Sequence, residues 1–349
     1  MNAPLVVLDA DVLGRNRTGD ESYVSALLAE LPKLAGSDLR FAAVTRRPEL
    51  VPDGVEPLPL PARSQPFRMA WSLPRLLRRL RPAVAHFQHV IAPATRPPAV
   101  VTVHDLSFEH DPTLMGRRDR FFFRRMVPRS VRRADRVIAV SEWTRRDLVE
   151  RYRVPEPKIV VTPNGVDAIF HPGRDGDGAP YLLFVGALQP RKDPVTAIEA
   201  LALTDEPLRL VVVGPDKGAR GEAERTVARL GLGSRVEFAG HVDKPRLAEL
   251  YRNAECLVLP SRYEGFGLPV VEAMASGTPV VAAAAGAVPE VAGDAAVLVE
   301  PGRPDALADG VRSALADRER LVSAGLEQAR RFSWTETARR TLEVYRELV

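Results

Sequence analysis

Short apolar runs that alternate with amphipathic segments along most of the chain are the feature that most limits what it can fold into. In the first half the runs are Leu5–Leu8, Phe41–Val44, Ala83–Phe87, Ala99–Val103, Val137–Val140 and Ile159–Thr162. In the second half they are Tyr181–Val185, Leu208–Val213, Val236–Phe238, Cys256–Leu259, Pro279–Ala282 and Ala296–Val299. Runs that are apolar at nearly every position suit parallel strands buried on both faces, with helices as crossovers. Two such series predict two doubly wound α/β domains. The length of 349 residues agrees, since one core rarely grows that large. Between the series, His171-Pro172-Gly173-Arg174-Asp175-Gly176-Asp177-Gly178-Ala179-Pro180 is rich in turn formers and has no core anchor. The expected division is therefore 1–172, a linker at 173–180, a second domain at 181–325 and terminal helices at 326–349. The last of these, about 335–348, carries Leu342, Tyr345 and Leu348 on one stripe.

Composition narrows the function classes. A hydrophobic fraction of 45% and a charged fraction of 27% fit a soluble globular protein. No apolar run approaches the roughly 20 residues that span a bilayer. Met1-Asn2-Ala3-Pro4 runs straight into a strand, which predicts no signal peptide. The one cysteine, Cys256, lies in an apolar run and reads as core filler, so a cytoplasmic setting is expected. The charge is uneven: 116–153 holds thirteen arginines against five acids, a net +8, with Phe121, Phe122, Phe123 and Met126 interleaved. One reading is an amphipathic helix with a solvated basic face and packed aromatics. The other is a surface for anionic lipid or a phosphorylated acceptor. Nucleic acid is not expected, because no binding motif accompanies the charge.

The chemistry concentrates after the run Cys256–Leu259, at 261–277. Gly265 and Gly267 permit a tight turn, and Pro269 suits the first turn of a helix. A loop of free amides that opens a helix at a strand's C-terminal end is an anion site suited to a diphosphate. Glu264 and Glu272 would serve neutral sugar and ribose hydroxyls there, although acids also favour helix N-termini for structural reasons alone. Arg191 and Lys192 follow the strand Tyr181–Val185 and Gly186, and His241-Val242 follows another strand. In the first half, His104-Asp105 ends the strand Ala99–Val103, and Ser141 follows Val137–Val140 as a natural helix cap. Two Asp-x-Asp strings, Asp9-Ala10-Asp11 and Asp175-Gly176-Asp177, read as incidental. No His/Cys/Glu cluster shows metal spacing, so neither metal nor other cofactor is expected.

Glu264 and Glu272 stand in the Glu-x7-Glu arrangement of retaining glycosyltransferases with the GT-B fold, and the stretch 261–277 resembles family 4 of that class. Further matches run along nearly the whole chain. Phe184–Asp193 resembles the family's phosphate loop, Pro163-Asn164-Gly165-Val166-Asp167 its turn near the hinge, and His104-Asp105-Leu106-Ser107-Phe108 a motif of mannosyltransferase-like members. The resemblance implies two Rossmann-like domains facing a cleft, an N-terminal acceptor domain and a C-terminal donor domain, and a last helix crossing back to the first. It implies donor contacts from Glu264, Phe266, Gly267 and Leu268, and ribose binding by Glu272. It further implies base contacts near His241 and Val242, and His104 approaching the donor sugar. Gly186 belongs to the phosphate loop. Many relatives carry Arg directly after that glycine; here Ala187 stands there, which leaves Arg191 as the substitute, beside Lys192. Asp105 would bond an acceptor or fix the His104 tautomer, and Ser141 is a second acceptor candidate. Gly19 matches the first glycine of a Gly-x-Gly-Arg-Tyr loop, with Glu21 and Ser22 replacing the next two motif residues.

The expected activity is retaining, metal-independent transfer of a hexose from a nucleoside-diphosphate sugar to a hydroxyl of a glycan, lipid-linked or small-molecule acceptor. GDP-mannose is the first donor, UDP-glucose and UDP-N-acetylglucosamine the alternatives. A dehydrogenase would also use Rossmann-type sheets, but Gly-x-Gly-x-x-Gly is absent from the first loop. A non-catalytic nucleotide-sugar-binding scaffold would not need Glu264 together with Lys192. Peripheral contact with an anionic inner membrane through 116–153 stays open at this point.

Overall fold

The computed structural model describes residues 3–15, 18–61, 64–111, 115–173, 178–204 and 207–349, Thr18 by its backbone alone. Asp175-Gly176-Asp177 lies outside the described residues. All twelve apolar runs form strands, and a thirteenth appears at Val55–Pro59. Its sequence, Val-Glu-Pro-Leu-Pro, does not read as a strand because proline donates no ladder hydrogen bond. It succeeds as an edge strand, paired on one side only, where the missing donors cost nothing.

The chain divides into two compact units. One comprises Met1–Leu106, Arg118–Gly165 and Trp334–Val349, the other Ser107–Arg117 and Val166–Ser333. Residues 166–172, expected in the first domain, group with the second unit, because Phe170 sets its ring edge-on to Tyr251 and Asp167 accepts from Lys244 at 2.5 Å. The first unit holds β1 (Leu5–Asp9), β2 (Arg40–Thr45), β3 (Val55–Pro59), β4 (Val84–Gln88), β5 (Ala99–Val103), β6 (Arg136–Ala139) and β7 (Ile159–Val161). They form one parallel sheet in the order β3-β2-β1-β4-β5-β6-β7. The second unit holds β8 (Tyr181–Val185), β9 (Arg209–Val213), β10 (Val236–Gly240), β11 (Cys256–Leu259), β12 (Val280–Ala283) and β13 (Val297–Val299), in the order β10-β9-β8-β11-β12-β13. Both orders reverse once, between β1 and β4 and between β8 and β11. Ligands of open α/β sheets bind outside the carboxyl ends of the strands at such reversals. These are two Rossmann-like units.

The helix Trp334–Arg346 belongs to the first unit and buries Trp334, Thr337, Ala338, Thr341, Leu342 and Tyr345, a stripe at helical spacing. A buried polar chain pins it. His86 on β4 places Nδ1 2.6 Å from the Tyr345 hydroxyl and Nε2 2.7 Å from Thr102 Oγ1, which lies 3.0 Å from the Tyr23 hydroxyl. Burial pushes His86 down to about 3, so the ring is neutral and can give and take one hydrogen bond each. Cys256 is wholly buried in β11 and its thiol is pushed up to about 12, as a packing residue would be. Asp9 and Asp11 are held by arginines. Asp9 takes a bidentate pair from the fully buried Arg68, and Asp11 pairs with Arg15 and Arg46.

The basic segment splits its aromatics. In the helix Arg117–Arg133, Val127 and Val131 face the core and Phe123 is half-buried, but Phe121 and Phe122 are 71% and 48% exposed. The reading that packs all three phenylalanines inward is corrected for these two.

Candidate active site

The second unit's reversal point brings two loops together. After β8 the chain turns through Gly186 into a short 3-10 turn, Pro190–Lys192, and Asp193 caps the helix Pro194–Ala202 by accepting from Thr196 N. After β11 it runs through Ser261–Gly267 into the helix Leu268–Ala275. The loops are tied by Arg262 N donating to Arg191 O at 2.9 Å and by Arg262 Nε donating to Asp193 Oδ2 at 2.9 Å.

Glu264 sits at their junction. Lys192 Nζ donates to its Oε1 at 2.5 Å and Arg191 Nη1 to its Oε2 at 3.1 Å. Glu264 is 5% exposed and Lys192 8%. Burial alone would raise the carboxyl, but the Lys192 and Arg191 cations outweigh it and hold it below its ordinary value, so it is ionised. Two cations and one carboxylate leave the cluster at +1. It directly precedes the helix Leu268–Ala275, where Pro269 has no N–H and Val270 N donates to Gly267 O at 2.9 Å, so the Leu268 amide and the helix dipole are what this N-terminus offers an anion. Gly267 caps this helix at φ +98, a left-handed conformation that suits glycine. The Phe266 ring is buried edge-on to Phe332, so only the backbone of Phe266 is available to a ligand.

Glu272 lies one turn into that helix and is partly exposed. Tyr251 donates its hydroxyl to Oε2 at 2.8 Å, and burial pushes the carboxyl up to about 7. His241 is exposed and Val242 half-buried after β10.

Glu264, Lys192 and Arg191 thus hold one another, and Arg191 Nη1 also donates to Tyr263 O at 2.7 Å. Ser141 was an acceptor candidate, but it is wholly buried and its oxygen accepts from Thr144 N at 3.1 Å, so it caps the helix Glu142–Tyr152.

In the first unit, His104 is buried at the end of β5. Its Nε2 pairs with Gln88 Oε1 at 2.8 Å, and its Nδ1 faces Asp20 Oδ1 at 4.0 Å. Gln88 therefore holds one of the two His104 ring nitrogens. Asp105 is half-buried and its charge acts on His104. Burial pushes His104 down to about 4. Gly19 is in the first turn of the helix Thr18–Ala35; Asn16 and Arg17 of its loop lie outside the described residues. Glu21, in place of a motif residue, accepts from Gly14 N at 2.6 Å.

Gly286 was missed. A Cβ there would lie 2.1 Å from the Glu264 carbonyl oxygen, which also accepts from Ala287 N at 2.8 Å. A glycine three residues beyond a buried apolar strand was the available signal. Tyr251 was missed too, because nothing local announces that a helix tyrosine reaches Glu272.

Residues 18–169 match Glycosyltransferase Family 4 and residues 167–332 match Glycosyl transferases group 1. The chain is 28% identical over 299 residues to an O-antigen chain mannosyltransferase B of Escherichia coli, covering 80% of this chain and 77% of that one. It is 38% identical over 254 residues to a D-inositol 3-phosphate glycosyltransferase of Kineococcus radiotolerans, covering 63% of this chain and 58% of that one. The chain thus spans little more than half of this second relative. Among solved structures, a sucrose-phosphate synthase from Thermosynechococcus elongatus superposes with a TM-score of 0.81 at 24% identity, over 99% of each chain, a likeness of fold.

Proposed function

The chain belongs to the group 1 and family 4 glycosyltransferases, and from that premise we propose that it moves a hexosyl group from a nucleoside-diphosphate sugar to an acceptor hydroxyl. The observation that carries the proposal is the buried Arg191–Glu264–Lys192 cluster preceding the N-terminus of Leu268–Ala275. A leaving diphosphate needs positive charge that is in place before reaction, and here the carboxylate holds Lys192 and Arg191 in position. Phe266, Gly267 and Leu268 offer backbone to the diphosphate, Glu272 accepts from ribose, and His241 and Val242 lie by the base. Gly19 and His104 are carried as donor residues by the family resemblance of their motifs alone.

The proposed reaction retains configuration. The C1–O bond to the diphosphate breaks, the acceptor oxygen bonds to C1 on the same face, and the acceptor proton passes to the departing diphosphate oxygen. Positioning and charge stabilisation supply the rate, with no metal. Mannose from GDP-mannose is the first donor, on the residues Leu106-Ser107-Phe108 after His104-Asp105 and the likeness to a protein named a mannosyltransferase. The exposed Phe121 and Phe122 on an arginine-rich helix favour a lipid-linked acceptor at an anionic inner membrane surface. Among the described residues no helix is long and apolar enough to cross a membrane.

A thermal-shift screen of GDP-mannose, UDP-glucose, UDP-N-acetylglucosamine and NAD tests the reading. A donor at about 100 times its Kd adds roughly 2.7 kcal/mol of stability. A shift with a nucleotide sugar and none with NAD is expected; a shift with NAD alone would overturn it.

A further inference from the structure

We propose that Asp20, His89 and His104 form a binding site for a transition-metal dication of the Zn²⁺ type. The three are far apart in sequence and converge because of topology. Asp20 lies in the first turn of the helix that follows β1, His89 directly follows β4, and His104 directly follows β5. β1, β4 and β5 are neighbours in the sheet, so their carboxyl ends lie side by side at the reversal point. One ligand atom from each residue lies within 4.8 Å of the other two.

The side chains are arranged as ligands. His104 commits Nε2 to Gln88 Oε1 at 2.8 Å, which turns Nδ1 toward Asp20 Oδ1. A metal-binding imidazole characteristically has its other nitrogen held in this way. His89 is fixed in the left-handed region at φ +57, with its N–H donating to Thr102 O at 2.8 Å. Its ring stands between Phe123 and His104, at 5.7 and 5.1 Å. Nδ1 of His89 is buried and has no hydrogen-bond partner among the described residues. A buried polar atom without a partner costs about 1–3 kcal/mol, and a metal ion would relieve that cost.

The donor set selects the ion. Two imidazoles and one carboxylate suit Zn²⁺ or its neighbours, whereas Mg²⁺ and Ca²⁺ demand oxygen. Bonds of about 2.0–2.1 Å in a tetrahedral site place ligand atoms about 3.4 Å apart, so closure asks for a movement of roughly 1 Å. Asp20, whose side chain is 30% exposed, has room to supply the part that closes on its carboxylate, and the two imidazoles supply the rest. Three protein ligands leave a fourth position for water. The consequence for turnover rests on the proposed function: His104 cannot serve the donor sugar while it holds a metal, so occupancy inhibits.

The full chain, stripped with EDTA and dialysed, is titrated with Zn²⁺ by calorimetry and with Co²⁺ by visible absorption. One ion per chain is expected, with the Co²⁺ band bleached by Zn²⁺. His89→Asn keeps a residue that tolerates left-handed backbone, and it should weaken binding by more than the roughly 10- to 100-fold of outer-shell changes. His171→Ala, at an exposed histidine, serves as control and should bind as wild type. Absence of binding to wild type at about 1 mM ion, well above the affinity of a three-ligand site, would overturn the proposal, as would equal binding by His89→Asn. Zn²⁺ should inhibit wild type and spare His89→Asn. Binding with unaltered turnover would uphold the metal site and overturn the placement of His104 at the donor.

Discussion

Tyr251 donates its hydroxyl to Glu272 Oε2 at 2.8 Å, and this hydrogen bond works against the burial that raises the carboxyl to about 7. Glu272 thus titrates well above its ordinary 4.5. The folded state binds the proton more tightly, so the stability this group adds is complete below about 4.5 and lost as pH rises through about 7. As a carboxylate it is the better acceptor for ribose hydroxyls. Donor kcat/KM should therefore rise with pH through about 7, and Tyr251→Phe should move that midpoint upward. An unmoved midpoint would separate the pair from donor binding.

Lys192 and Glu264 form a buried ion pair whose loss removes charge from the site. Glu264→Ala and Lys192→Ala should each lower turnover about 30- to 1000-fold, the equivalent of about 2–4 kcal/mol of transition-state stabilisation. Each also leaves a buried charge less well paired, at a cost of up to about 3–5 kcal/mol. Turnover is therefore compared at a temperature where circular dichroism shows both variants folded. Near wild-type rates in either would remove that residue from the mechanism.

Arg191, Lys192 and the N-terminus of the helix Leu268–Ala275 should do the neutralising that a metal ion does in other transferases. Turnover is expected to persist in excess EDTA. Loss on chelation with recovery on adding Mg²⁺ would contradict this.

Phe121 and Phe122 stand exposed among Arg117, Arg118, Arg124 and Arg125. Each basic residue near an anionic bilayer adds up to about 1 kcal/mol. Salt-sensitive co-sedimentation with anionic vesicles is expected, and it should weaken when the four arginines become glutamate. Equal absence from neutral and anionic vesicles at low salt would point to a soluble acceptor.

His86 is held down to about 3 against an ordinary 6.5. The unfolded chain then binds the extra proton, so stability from this group is complete above about 6.5 and is lost as pH falls toward about 3. His104, pushed down to about 4, acts in the same direction. Denaturant midpoints should fall across that range. Tyr345→Phe, which strips a buried partner from His86, should cost about 1–3 kcal/mol at pH 8. An unchanged midpoint in this variant would show that the hydroxyl does not pin the terminal helix.

The sequence by itself determined the two sheets, because a strand buried on both faces must be apolar at nearly every position, and that signal is local. It also determined the loop from Glu264 to Leu268, where glycine, proline and acids at fixed offsets write a strand-to-helix turn into consecutive residues. The edge strand Val55–Pro59 escaped it, since strand pairing on one side tolerates the prolines that argue against a strand. Tertiary structure alone decided the partners. Glu264 meets Lys192 across 72 positions, and His86 meets Tyr345 across 259. Asp20, His89 and His104 meet because β1, β4 and β5 are neighbours. Such contacts depend on strand order, which crossover connections set and no local pattern of residue types encodes.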